Sequence, residues 1–178
     1  GLYIVSTPIG NLRDVTLRAL QVLAAADLVA CEDTRVTRVL LNHYGISASL
    51  LAYHEHNAEE QRPRLLAALE DGKSVALVSD AGTPLISDPG FRLVGAVADA
   101  GHRVVPIPGA SAILSGLVTA GLPTDAFLFA GFLPTKTVAR KKRIAALAAV
   151  PATLVFYESP HRTADALSDL AETLGAER

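Results

Sequence analysis

Apolar residues in this chain fall into two kinds of run that alternate along its length. Short continuous runs such as Val75-Ala-Leu-Val78, bounded by polar or turn-forming residues, predict buried strands. Longer stretches with apolar positions three and four apart predict helices that bury one side. On this basis strands are predicted over 2–6, 27–31, 49–53, 74–79 and 102–106. Between them come a helix through Val15, Leu17, Leu20 and Leu23 with Thr16 or Asp14 as N-cap, one reaching about His43, and others over 58–69, 91–100 and 112–120. Strand and helix alternating in this way predict a parallel sheet with right-handed crossovers. Gly121-Leu-Pro-Thr-Asp125 predicts a boundary between a domain over 1–120 and a second α/β unit over 121–178. The second unit reads as strand 126–130, helix 136–149, strand 152–157 and helix 161–174. Both ends read as cut: there is no initiator Met before Gly1, and the chain stops after a helix where another strand usually follows.

The loops after the strands carry the chemistry. Ser79-Asp-Ala-Gly-Thr-Pro-Leu-Ile-Ser-Asp-Pro-Gly90 is far longer than the roughly four residues a reversal needs. Gly82 lets backbone approach a ligand, while Pro84 and Pro89 stiffen the path and remove two donors. Thr7-Pro-Ile-Gly-Asn11 and Pro106-Ile-Pro-Gly-Ala-Ser111 also follow strands. Strand ends of a parallel sheet share one edge, so the three loops are expected to converge on a pocket. Neither G-x-G-x-x-G nor G-x-x-x-x-G-K-[ST] is present, which argues against a dinucleotide or triphosphate held in the usual way.

Composition sets the outer limits. Half of the 178 residues are hydrophobic, enough for a sizeable core, and the net charge of −2 makes no global case for nucleic acid or membrane. The single cysteine, Cys31, excludes an internal disulfide framework, fits a reducing cytoplasm and reads as an inert core thiol. No apolar run reaches the roughly 18 residues of a membrane span, and no signal peptide is visible.

Local charge is more informative. Lys136, Arg140, Lys141, Lys142 and Arg143 are dense, with no acidic residue between Asp125 and Glu158. Such a run is either a solvated helix face or a phosphate contact, and its lack of local compensation points toward RNA. Arg162, after Tyr157-Glu-Ser-Pro-His161, would add to it. Glu32-Asp33-Thr34-Arg35, with Arg38 one turn on, is either a helix cap or a polar wall for a hydroxyl-bearing substrate. His54-Glu-His56 lacks the spacing of a metal site, and no Ser/His/Asp nucleophile pattern is found.

Taken together, Tyr3-Ile-Val-Ser-Thr-Pro-Ile-Gly-Asn-Leu-Arg-Asp14, Cys31-Glu-Asp-Thr-Arg35, Ser79-Asp-Ala-Gly-Thr-Pro84, Ile86-Ser-Asp-Pro-Gly90, Pro108-Gly-Ala-Ser-Ala112, Gly131-Phe-Leu-Pro134 and Tyr157-Glu-Ser-Pro-His-Arg162 resemble the tetrapyrrole-methylase superfamily. Within it the chain is most similar to the small-subunit ribosomal RNA (cytidine-2′-O)-methyltransferases. The resemblance implies a two-domain α/β fold, with a parallel N-terminal sheet and a second, mixed-sheet domain. It also implies S-adenosylmethionine as methyl donor between the domains, a homodimer, and a cytidine of 16S rRNA, free or in the small ribosomal subunit, as substrate. Carried over by position, donor contacts fall on Ile9, Ala81, Gly82, Thr83, Ile86, Ser111 and Ala112, with Tyr157 or Glu158 from the second domain. Relatives acting on tetrapyrroles carry Gly-Asp-Pro where this chain has Gly82-Thr83-Pro84, and Asp80 is counted with the donor contacts as the nearby compensating carboxylate.

A ribose hydroxyl is a weak acid, so a base would help it attack the donor methyl, and Asp33, Glu158 and His161 are the candidates. Arg35, Arg38 and Arg162, with Lys136, Arg140, Lys141, Lys142 and Arg143, are the expected RNA contacts. The competing readings are a tetrapyrrole methyltransferase of the same fold and a non-catalytic RNA-binding module.

Overall fold

Val75, Ala76, Leu77 and Val78 form the middle strand of a five-stranded parallel sheet, and their side chains explain why the run is apolar without a break. Val75 and Leu77 point into one core while Ala76 and Val78 point into another, so both faces of the strand are covered. The computed structural model describes residues 1–88 and 90–177. Pro89, read above as stiffening the long loop, lies outside the described residues.

The strands are β1 (Leu2–Val5), β2 (Leu28–Cys31), β3 (Leu50–Ala52), β4 (Val75–Val78) and β5 (Val104–Ile107), in the order β3-β2-β4-β1-β5. Leu2 pairs with Val75 on one side and Val104 on the other, and Leu28 pairs with Val75. Helices α1 (Leu17–Ala25) and α2 (Thr34–His43) cover one face through Ala19, Leu23, Leu40 and Leu41. Helices α3 (Ala58–Glu70) and α4 (Phe91–Asp99) cover the other through Leu65, Leu69, Leu93 and Val97. Thr16 caps α1, its hydroxyl accepting from the Ala19 N–H at 3.1 Å, which settles the choice between Thr16 and Asp14.

The chain steps outward from β1 to β3 with its helices on one face, then returns through β4 to β5 with helices on the other. Adjacent strands β1 and β4, and β2 and β4, therefore send their following helices to opposite faces. Crevices open at the carboxyl ends of such strand pairs.

Contacts divide the chain into Gly1–Ala112 and the residues from Ile113 onward, which puts α5 (Ala112–Thr119) with the second unit rather than with the domain expected over 1–120. In that unit β6 (Phe127–Phe132) and β7 (Thr153–Tyr157) pair in parallel, with a bulge between Phe129 and Phe132 where Gly131 takes a φ of 70°. The described strands of this unit thus form a parallel pair.

Helices α6 (Thr137–Leu147) and α7 (Thr163–Leu174) pack through Leu133, Ile144 and Ala166. Arg140 does not join the exposed basic group expected from the sequence. It is 3 % exposed, and its Nε donates to Asp169 Oδ2 at 2.6 Å. Arg140 sits four residues before Ile144 and seven before Leu147, which places it on the buried stripe of α6. Burial pushes the Asp169 carboxyl up, but the Arg140 hydrogen bond and the charges of Arg140 and Lys141 outweigh it and hold the group below its ordinary value.

Two measurements check this packing. Leu93→Ala, which empties a fully buried position, is expected to lower the free energy of unfolding by about 2–5 kcal/mol in urea titration. Asp169→Asn strands the Arg140 charge and lowers the urea midpoint at neutral pH. Because the folded Asp169 pKa is depressed, its stabilisation is present above the ordinary carboxylate value of about 4 and is lost as pH falls through the folded value. The gap between wild type and variant therefore narrows in acid.

Candidate functional site

Three loops meet at the carboxyl ends of β1, β4 and β5. Thr7 and Gly82 exchange both backbone hydrogen bonds, at 2.8 and 3.1 Å, and so tie the first loop to the long one. The Thr7 hydroxyl also donates to the Ser79 carbonyl at 3.1 Å. Thr83 Oγ1 lies 2.9 Å from Ser6 Oγ and 3.5 Å from the Ala110 carbonyl, which brings in the third loop. Two glycines make this contact possible. A Cβ on Gly109 would stand 2.9 Å from the Ser6 Cβ, and one on Gly82, whose φ is +85°, would touch Ile9 Cγ2 at 3.4 Å. Past them, Leu85 and Ser87 hold φ values of 74° and 62°, a left-handed geometry unusual for residues with side chains.

The expected donor residues are distributed around this junction. Ile9, Gly82 and Thr83 are at its centre, and Ala81 and Ile86 are exposed on the long loop. Ser111 and Ala112 continue the third loop into α5. The Thr83 hydroxyl is engaged within the protein, so at this position the backbone is what remains to meet a ligand. Glycine-lined, backbone-rich loops at a strand-order reversal suit a nucleoside-sized donor. Asp80 turns the other way: its Oδ1 accepts from the Asp33 N–H at 3.0 Å, joining the ends of β4 and β2.

Asp33 caps α2, and this engagement weighs against the role of base expected for it. Its Oδ1 accepts from the Arg35 N–H at 2.8 Å, and both carboxylate oxygens accept from the Arg35 guanidinium. Those hydrogen bonds pull its pKa down to about 2, too weak a base for a ribose hydroxyl. Arg35 remains 87 % exposed despite the pair, and Arg38 is exposed further along α2. Burial pushes the Cys31 thiol up, as suits a core residue.

The second unit holds the remaining candidates. Tyr157, at the end of β7, packs its ring on Phe129 and Phe132, with centroids 4.7 and 5.5 Å away. Glu158 Oε1 accepts from the Ser159 N–H at 2.8 Å and pairs with Arg162 at 2.5 Å. Its Oε2 is buried with no hydrogen-bond partner among the described residues, leaving one acceptor unused. His161 is exposed on the short 3-10 turn Pro160–Arg162.

The basic group is smaller than its sequence implied. Arg140 is withdrawn into the core, and Lys141 is held by Glu172 at 2.5 Å and Asp169 at 3.5 Å. The compensating acids come from α7, about thirty residues on by the helix-to-helix spacing, where no local reading of charge would find them. Lys136, Lys142 and Arg143 are exposed and in no ion pair among the described residues. Arg162 is partly exposed but committed to Glu158.

Known proteins similar to this chain agree with the geometry. The family model for "Tetrapyrrole (Corrin/Porphyrin) Methylases" matches residues 1–178. Among curated relatives, the ribosomal RNA small subunit methyltransferase I of Mesorhizobium japonicum (strain LMG 29417 / CECT 9101 / MAFF 303099) is 66 % identical over 99 % of this chain. The protein of the same name from Escherichia coli O157:H7 is 55 % identical over 99 % of it. The chain spans 60 % and 62 % of the lengths of these two relatives. Among solved structures, uroporphyrin-III-C-methyltransferase from Thermus thermophilus superimposes with a TM-score of 0.65 at 25 % identity, covering 97 % of this chain and 72 % of that one. Cobalt precorrin-4 methyltransferase, a cobalamin biosynthetic enzyme, shares the fold with a TM-score of 0.69 at 20 % identity, covering 99 % and 76 %. A family model matched over residues 1–178 shows that this chain belongs to the tetrapyrrole methylase family.

Proposed function

We propose that the chain belongs to an enzyme that transfers a methyl group from S-adenosylmethionine to the ribose 2′-hydroxyl of a cytidine in 16S rRNA. The observation that carries this reading is the 66 % identity, over 99 % of the chain, to a relative named for methylation of small-subunit ribosomal RNA. Donor binding is assigned to the junction of Ile9, Ala81, Gly82, Thr83, Ile86, Ser111 and Ala112, supported by the glycine-dependent contact of its three loops. Tyr157 and Glu158 are the second unit's proposed contribution. Bound S-adenosylmethionine supplies a methyl group on a sulfonium, a very good leaving group. The protein's own task is then alignment and removal of one proton.

Glu158 is the proposed acceptor of that proton. Its free, buried Oε2 has the capacity that Asp33 has spent on its cap, and Arg162 holds the other oxygen in place. His161 is the alternative. Lys136, Lys142 and Arg143, with Arg35 and Arg38, are the proposed phosphate contacts, since their charges face solvent. Exposed Leu114 and Val118, one turn apart on α5, support a homodimer. No helix among the described residues is long and apolar enough to cross a membrane, and ribosomal RNA as substrate implies a cytoplasmic enzyme.

Methyl transfer to small ribosomal subunits or free 16S rRNA, with the modified nucleotide mapped by mass spectrometry, tests the reading; methylation of a tetrapyrrole instead of RNA would sink it. Gly109→Ala, which forces a Cβ against Ser6, is expected to weaken S-adenosylmethionine binding at least about tenfold in calorimetry, the effect of roughly one lost hydrogen bond to the ligand. In single-turnover assays Glu158→Gln should slow transfer by about a hundredfold or more with donor binding intact, whereas Asp33→Asn retains a near-normal rate. Replacing Lys142 and Arg143 by Ala should lower the slope of log affinity against log salt by about 1.4 for single-stranded RNA, with donor affinity unchanged.

A further inference from the structure

A concavity not used by the donor reading opens at the carboxyl ends of β2, β3 and β4. It measures about 470 Å³, and Glu32, Asp33, Ala52, His54, His56 and Asp80 line it. Glu32, Asp33 and Asp80 give it an acidic side, which disfavours a phosphate there. Its flank on α2 is basic, with Arg35 87 % exposed and Arg38 exposed three residues further on. An acidic side next to a basic flank fits a nucleotide whose base enters and whose phosphates stay outside.

The acidic side is not uniformly occupied by internal contacts. Asp33 is bound to Arg35, and Asp80 accepts the Asp33 N–H. Glu32 feels Asp80, Asp88, His54 and Asp33 through charge alone, with no hydrogen bond to its carboxyl among the described residues. Burial, then the charges of Asp80 and Asp88, push its pKa up, so the fold bears a cost for holding this group here. His54 contributes a second unused polar atom: its Nδ1 is buried without a partner among the described residues. The His54 and His56 rings lie 6.0 Å apart at 63°, adding aromatic surface of the kind on which bases stack.

We propose that this cleft reads the base of the target nucleotide as an amino-bearing pyrimidine, the Glu32 carboxyl accepting a hydrogen bond from the exocyclic N4 amino group of cytosine. Uracil carries a carbonyl oxygen at the same position, and an acceptor facing acidic groups is repelled. This rests on the reading of the chain as acting on a cytidine, but it concerns recognition and is separable from transfer.

The test uses two short single-stranded RNAs that differ only in one cytidine or uridine, with affinity measured by fluorescence anisotropy. The wild-type chain should favour the cytidine RNA by about tenfold or more. Glu32→Gln keeps the size of the side chain and an acceptor but adds a donor that suits the uracil carbonyl. It should therefore bring the ratio close to one by gaining uridine affinity, a change that a merely structural role would not produce. Equal wild-type affinity for the two RNAs, or a ratio unchanged in Glu32→Gln, overturns the inference. Loss of methyl transfer with the cytidine preference intact counts against the enzymatic reading alone.

Discussion

The reciprocal hydrogen bonds between Thr7 and Gly82 hold the carboxyl edge of the parallel sheet in the first unit together. In the sheet β1 and β4 run in parallel, yet beyond it their chains meet in an antiparallel bridge. That reversal turns the long loop back over the strand ends instead of letting it pass straight into α4. Gly82 permits it with a φ of +85°. Thr83 then reaches Ser6 and the Ala110 carbonyl, and Gly109 leaves room for Ser6. Remove this tie and the three loops become separate turns.

The sheet beneath imposes the arrangement. A parallel sheet with helices on both faces leaves only the strand ends open to a ligand. Where neighbouring strands send their helices to opposite faces, the edge splits, as between β1 and β4 and between β4 and β2. The long loop from Ser79 borders both openings. Ala81 to Thr83 face one, and Asp80 reaches across the other to the Asp33 N–H. A single loop thus separates a backbone-rich junction from an acidic cleft.

In the second unit electrostatics is settled between helices rather than along them. The α6 charges look uncompensated when read in order, because their partners Asp169 and Glu172 lie on α7. Packing draws Arg140 inside, where pairing with Asp169 is the only tolerable state for either charge. What is left facing solvent is Lys136, Lys142 and Arg143, a weaker cationic surface than the composition of the segment suggests.

Much of the architecture was legible from periodicity. Val75–Val78, a short apolar run bounded by polar and turn-forming residues, reads as a buried strand, and the strands and helices of both units lie within a few residues of where their patterns put them. The loops also announced themselves, since Gly, Pro, Ser and Asp after strands mark the ligand edge of an α/β sheet. What the sequence could not decide was the fate of individual polar groups. Asp80, Arg140 and Lys141 are ordinary charged residues in the linear chain, and their roles depend on partners that only folding supplies. Arg140 is spent on Asp169, Lys141 on Glu172, and Asp80 on a backbone donor 47 positions away. Hydrophobic burial is periodic, and so it can be read along a sequence. Pairing of charges depends on distance and on exclusion of water, and those exist only in three dimensions.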